Sequence, residues 1–177
     1  MRRAFADRAQ HVGDPDFNTA IPVAQLISKD YATQVRKTIN PNKASVSSPT
    51  SFTWPTESAE TTHLSVVDDK RNAVSMTYTL EYGYGSRIVV PGAGFLLNNE
   101  LTDFSPLPDD GGRLAANRVE PGKRPRSSMS PTLVFDGEGD LVMAIGTVGG
   151  ARIICYVAKT LIATLDWGLD IQAAIEM

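Results

Sequence analysis

Two threonines, Thr61 and Thr62, open an alternating stretch directly after a Ser/Thr/Pro-rich segment. A threonine hydroxyl is a weak nucleophile unless a base lies beside it. If the bond between Glu60 and Thr61 is cut, the freed α-amine, of reference pKa about 8, can act as that base. The same pair is also an ordinary way to begin a strand. Gly149 and Gly150 stand between an apolar run and a helical pattern. Two glycines there can turn backbone N–H groups toward a developing oxyanion, with the helix dipole behind them. They can equally make a tight turn with no ligand. Ser127 and Ser128 follow Lys123-Arg124-Pro125-Arg126, so paired hydroxyls near cations could hold a carboxylate, or could cap a turn. Glu81, Glu100 and Asp103 could hold an ammonium group, or be solvated loop carboxylates. His11 and His63 are too few for a metal site, and Cys155, in the apolar IICYV, reads as a small packed hydrophobe. No G-x-S-x-G elbow is present.

These residues need elements to position them. Arg2–Val12 predicts a short helix, ended by Gly13-Asp14-Pro15. Val23, Leu26, Ile27, Tyr31, Val35 and Ile39 recur at helical spacing, predicting one helix from Pro22 to Ile39. Residues 41–60 hold five Ser, three Thr and three Pro with no apolar period, the composition of an exposed connector where cleavage concentrates. From Thr61 the period becomes two. Thr61–Asp68 and Asn72–Glu81 predict a hairpin about the DDKRN turn, with Thr79 and Glu81 on one strand face. Residues 105–126 predict a long surface loop. TLVFD and LVMAIG predict strands about a GEGD turn. Ala151–Trp167 predicts a helix with Ile153, Ile154, Val157, Leu161 and Leu165 as its buried stripe and Gly168 at its end. The pattern is that of an α+β layered domain, and the chain stops at Met177 in the first turns of a further helix, as a fragment would.

Composition narrows the partners. At 177 residues, 42% hydrophobic, with net charge -3 and pI near 5.4, the chain gives no reason to expect nucleic acid or an anionic membrane. One cysteine excludes an internal disulfide. No apolar h-region follows the basic start, so the chain shows no signal peptide, and no run is long enough to span a bilayer.

TTHLSVVDDKRNAVSMTYTLEYGYGS, GFLLNNELTDF, KRPRSSMSP and GTVGGARI, in this order and spacing, resemble the gamma-glutamyltransferases, also called gamma-glutamyltranspeptidases. RRAFADRAQHVGDPDF resembles the end of that family's large subunit. The resemblance implies part of a four-layer αββα sandwich of the N-terminal nucleophile hydrolase type. It divides the chain into 1–40 as the end of the large-subunit region, 41–60 as the pre-cleavage connector, and 61–177 as a C-terminally truncated small subunit. It implies Thr61 as nucleophile after self-cleavage, Thr79 as the threonine that supports it, and Gly149 and Gly150 as oxyanion hole. Glu81, Glu100 and Asp103 would take the substrate α-amino end, and Ser127 and Ser128 its α-carboxylate. The implied substrate is a γ-glutamyl amide such as glutathione, with no cofactor or metal, and a periplasmic or extracellular location. Three departures stand out. Many members have Asn where Glu81 stands. The Ser105–Gly122 loop is shorter than in members with a lid, and lacks the lid tyrosine. Most of the large subunit, with its carboxylate-gripping arginine, is not in the chain. Rival expectations are a related acylase acting on another amide, and an uncut, inactive fragment.

Overall fold

A computed structural model describes residues 1–46, 60–110 and 112–177. Most of the anticipated connector, residues 47–59, lies outside the described residues. The chain forms two compact units, Met1–Thr56 with Leu101–Arg126, and Glu57–Glu100 with Ser127–Met177.

In the first unit, α1 runs Arg2–His11 and buries Phe5. The single helix expected over Pro22–Ile39 is instead two, α2 (Val23–Leu26) and α3 (Lys29–Lys37). Ser28 breaks it: its backbone is extended and its Oγ accepts the Tyr31 N–H at 3.1 Å, a helix start in mid-pattern. Neither piece has a buried residue, and Ile27 is 76% exposed. Tyr31 instead ties α3 to α1 by donating its hydroxyl to Asp7 at 2.9 Å. The segment read as a surface loop carries a small antiparallel pair, β3 (Asp109–Asp110) and β4 (Arg113–Leu114). It also buries Ala116, Asn117 and Lys123, and Phe104 just before it is buried too. Asn117 donates from Nδ2 to the Asp103 carbonyl at 2.7 Å and accepts the Arg126 N–H at 2.8 Å. That side chain does for an irregular segment what a ladder does for a strand.

In the second unit, β1 (Thr62–Val67) pairs antiparallel with β2 (Ala73–Tyr78) from Thr62↔Tyr78 to Val67↔Ala73. Asp68 makes the turn by accepting the Lys70 and Asn72 N–H groups. The second hairpin is β5 (Thr132–Phe135) with β6 (Leu141–Ile145), and Asp136 likewise accepts from Glu138 and Asp140. Between the hairpins, Val89 and Leu96 form an isolated bridge. The hairpins pack face to face through small polar residues. Ser75 Oγ donates to the Ile145 carbonyl at 2.9 Å and accepts the Thr132 N–H at 3.2 Å, and Ser65 Oγ reaches the Ala144 carbonyl at 3.3 Å. The alternate residues Val74, Met76 and Tyr78 are exposed on the other face.

After β6 comes a 3-10 turn (Gly150–Arg152), then α4 (Ile153–Leu165) and α5 (Ile171–Glu176). The stripe buried on α4 is Ile153, Val157, Thr160 and Ala163; Leu165, expected inside, is 53% exposed. It sits in the last turn, where the chain leaves toward Gly168 at φ 70. Ala163 and Ala174 are fully buried in the α4–α5 pair.

Candidate functional site

Thr61 stands half-buried immediately before β1. Because Thr62 pairs with Tyr78, Thr61 and Thr79 leave the hairpin side by side. The Thr79 hydroxyl donates to the Glu60 carbonyl at 3.0 Å and accepts the Glu81 N–H at 2.8 Å. The incoming N–H occupies the lone-pair side of the hydroxyl, so its proton faces the carbonyl of the Glu60–Thr61 peptide. A donor so placed polarises that carbonyl and stabilises negative charge developing on its oxygen. Gly83 leaves room beside it: a Cβ there would fall 2.1 Å from the Glu60 carboxylate.

The expectation that Thr79 and Glu81 share a strand face is corrected. β2 ends at Tyr78, and Glu81 has φ 74, in the left-handed region. The Thr79 side chain takes the Glu81 N–H and turns the chain there, where a ladder would have continued the pleat. Glu81 is 7% exposed, and its Oε2 accepts from Asn99 Nδ2 at 2.9 Å. Asn99 also accepts the Tyr82 N–H at 3.0 Å and donates its own N–H to the Leu80 carbonyl at 3.1 Å. Asn98 Oδ1 accepts the Glu100 N–H at 3.0 Å. Asn99 thus ties Glu81 to the segment that leads into Glu100, and Asn98 shapes the turn there. The reading of the residues passed over both, although Asn-Asn directly before Glu100 was the available signal.

Asp103 belongs to the first unit, where its carbonyl is held by Asn117. Ser127 Oγ accepts the Met129 N–H at 3.1 Å, and the buried Ser128 gives its carbonyl to Ser130 Oγ at 3.0 Å. Gly149 has φ 131 and Gly150 φ 56, so each takes a backbone conformation that side chains disfavour. Among the described residues, neither glycine N–H enters a backbone hydrogen bond, and both precede α4. A Cβ on Gly149 would lie 3.0 Å from the Tyr156 ring.

The hairpins' mutual register sets which ends coincide. Arg71 hydrogen-bonds the Leu141 carbonyl, Ser65 the Ala144 carbonyl, and His63 lies against Gly146. As β1 is followed back toward Thr61, β6 advances toward Val148. The threonines and the glycine pair therefore leave at the same end. Ser127 and Ser128 lead into β5 at that end as well, because Thr132 pairs with Ile145. His63 is the central joint, and it was not expected to be one. A Cβ on Gly146 would fall 2.1 Å from its ring. Its Nδ1 lies 2.7 Å from Thr77 Oγ1 and its Nε2 3.0 Å from Ser65 Oγ. Since Ser65 donates onward to Ala144, Nε2 carries the ring proton and Nδ1 accepts from Thr77. Burial pushes His63 below the ordinary histidine value, consistent with a neutral ring. Among the described residues no metal-binding cluster forms, and no helix is long and apolar enough to cross a membrane.

A mixed helix-and-sheet chain with a threonine-led hairpin, a hydroxyl on the preceding carbonyl and a glycine pair at the same end brings together groups of the kind that acyl transfer by a hydroxyl uses. The gamma-glutamyltranspeptidase family model matches residues 1–177, and the chain belongs to that family. A glutathione hydrolase proenzyme of Pseudomonas sp. (strain A14) is 43% identical over 182 residues, covering 99% of this chain and 31% of the relative. An acylase ACY 1 proenzyme of Pseudomonas sp. (strain SE83) is 37% identical over 176 residues, covering 99% and 30%. The solved gamma-glutamyltranspeptidase of Pseudomonas nitroreducens complexed with L-DON is 45% identical at a TM-score of 0.57, covering 64% of this chain and 61% of that one. The chain thus spans about a third of the length of its curated relatives.

Proposed function

We propose that these residues span the self-cleavage point of a gamma-glutamyltranspeptidase precursor, within a four-layer αββα sandwich, with 1–40 ending the large subunit and 61–177 beginning the small one. The observation that carries this reading is the Thr79 hydroxyl on the Glu60 carbonyl. Thr61 Oγ attacks the Glu60 carbonyl carbon, and Thr79 holds the oxyanion. Collapse breaks the C–N bond and leaves an ester on Thr61, with the amine freed. Water hydrolyses that ester and releases the Glu60 carboxylate.

The exposed α-amine then serves Thr61 as base. Thr61 Oγ attacks the γ-carbonyl of a γ-glutamyl amide such as glutathione, and the Gly149 and Gly150 N–H groups receive the oxyanion. The leaving amine takes the proton, and water or an amino acid amine resolves the acyl-enzyme. Glu81, whose carboxylate Asn99 holds, and Glu100, one residue beyond Asn99, would take the substrate ammonium. The family resemblance adds Asp103 to them, and Ser127 and Ser128 for the carboxylate. Three carboxylates, Glu81, Glu100 and Asp103, would serve a substrate with an α-amino group, which supports the γ-glutamyl reading over an acylase that takes a substrate without one. The short, tyrosine-free Ser105–Gly122 loop favours water over an acceptor amine. The test is release from a chromogenic γ-glutamyl anilide by the complete, processed protein, compared with a glutaryl anilide. Equal turnover of the two would reject the γ-glutamyl assignment.

A further inference from the structure

The groups proposed for the two reactions are distributed differently over the hairpins of the second unit. Self-cleavage draws on Glu60, Thr61 and Thr79, all at one end of β1–β2. Amide turnover draws also on Gly149 and Gly150, which follow β6. Turnover alone therefore depends on how one hairpin is set against the other. Of the contacts between them described above, His63 against Gly146 lies nearest both ends. His63 comes two residues after Thr61, and Gly146 three before Gly149. A Cβ on Gly146 would fall 2.1 Å from Cε1, 2.4 Å from Nδ1 and 2.8 Å from Nε2 of the ring. Gly146 is not among the glycines at positive φ, so its missing side chain makes room for the imidazole and serves no turn. The hydroxyls of Ser65 and of Thr77, the cross-strand partner of His63, hold the two ring nitrogens. Ser65 carries that hold across to the Ala144 carbonyl on β6.

We propose that His63, seated on Gly146, is a positioning residue that sets the Thr61 hydroxyl against the Gly149 and Gly150 N–H groups. Amide turnover then depends on His63, and self-cleavage does not. The proposal rests on the reading of both reactions given above. In the complete protein, His63→Ala should still convert the precursor at close to the wild-type rate, because the Thr79–Glu60 contact stays within the first hairpin. The processed enzyme should release a chromogenic γ-glutamyl anilide with kcat lowered about 10–100-fold, the effect of a misplacement of about 1 Å. KM should change far less, since an oxyanion contact is made only in the transition state. Rates are taken per processed chain, counted by intact mass, so that a loss of folded protein does not enter them. Ser65→Ala, at an exposed position, should lower kcat by less, and it stays readable if His63→Ala does not fold. Gly146→Ala drives a Cβ into the ring and should lower kcat by itself, yet add little to His63→Ala, where no ring remains. Precursor conversion that slows in step with turnover would make His63 a merely structural residue and overturn the proposal. Unchanged kcat in both His63→Ala and Ser65→Ala would overturn it too, as would losses from His63→Ala and Gly146→Ala that simply add. Failure of the reading beneath it shows differently, in a wild type that neither cuts itself nor releases the anilide, and takes this proposal with it.

Discussion

The start of β1 and the Asp14–Arg124 contact are both built from polar side-chain contacts, but on different sequence scales. At the threonine end the ties are short. Thr79 reaches back 19 residues to Glu60, Glu81 reaches two to Thr79, and Asn99 reaches 18 to Glu81. At the other, Arg124 and Asp14 are 110 residues apart, and Arg126 and Arg8 are 118 apart. The β1–β2 hairpin and the twenty or so residues after it can assemble the first set. The second must close a long loop, at an entropic cost that grows with loop length. Substitutions at the threonine end should therefore change chemistry, and substitutions around the Asp14–Arg124 contact should change stability.

The sharpest separation comes from Thr79. Thr79→Val removes the donor on the Glu60 carbonyl and should slow conversion of the precursor by about 10²–10³-fold, the usual loss for one oxyanion donor. The urea midpoint should move little, and Thr79→Ser should restore most of the rate. A large loss of stability with normal processing would erase the distinction. Asn117→Ala should do the reverse. It removes two hydrogen bonds, to the Asp103 carbonyl and from the Arg126 N–H, and should cost about 1–3 kcal/mol by denaturant melt.

Two glycines grade the comparison more finely. Gly13→Ala drives a Cβ into Ala116 backbone and should cost about 1–3 kcal/mol. Gly83→Ala meets only the end of the Glu60 side chain, which can swing aside, and should cost less than about 1 kcal/mol. Equal melts for the two variants would contradict this. The smallest effect is a pH dependence from His63. Its folded value is depressed by burial, so the unfolded chain binds the proton more readily. Its contribution is complete above about pH 6.5 and declines as pH falls below that toward the folded value. His63→Gln should flatten that part of the stability curve, and an unchanged slope would remove His63 as its source.

The β1–β2 hairpin was legible because alternation and a turn signal agree on one register. The α4 helix was legible from its period. The break at Ser28 was not, because a side-chain cap overrode an apolar pattern that continued through it. Nor was the order within 105–126, since one buried asparagine has no period to betray it. Residue types alone left Thr61 and the glycine pair with two readings each, and only the resemblance to a family favours the catalytic one. Asn99 and His63 escaped because their roles depend on neighbours 18 residues away and across a second hairpin.

The central claim is that the Glu60–Thr61 bond is the one the chain breaks. Intact mass and N-terminal sequencing of the purified complete protein, beside its Thr61→Ala variant, test it most directly. The account predicts two chains from the wild type, the smaller beginning Thr-Thr-His-Leu-Ser, and a single uncut chain from Thr61→Ala. An uncut wild type, a new terminus elsewhere, or equal processing of the variant would contradict it.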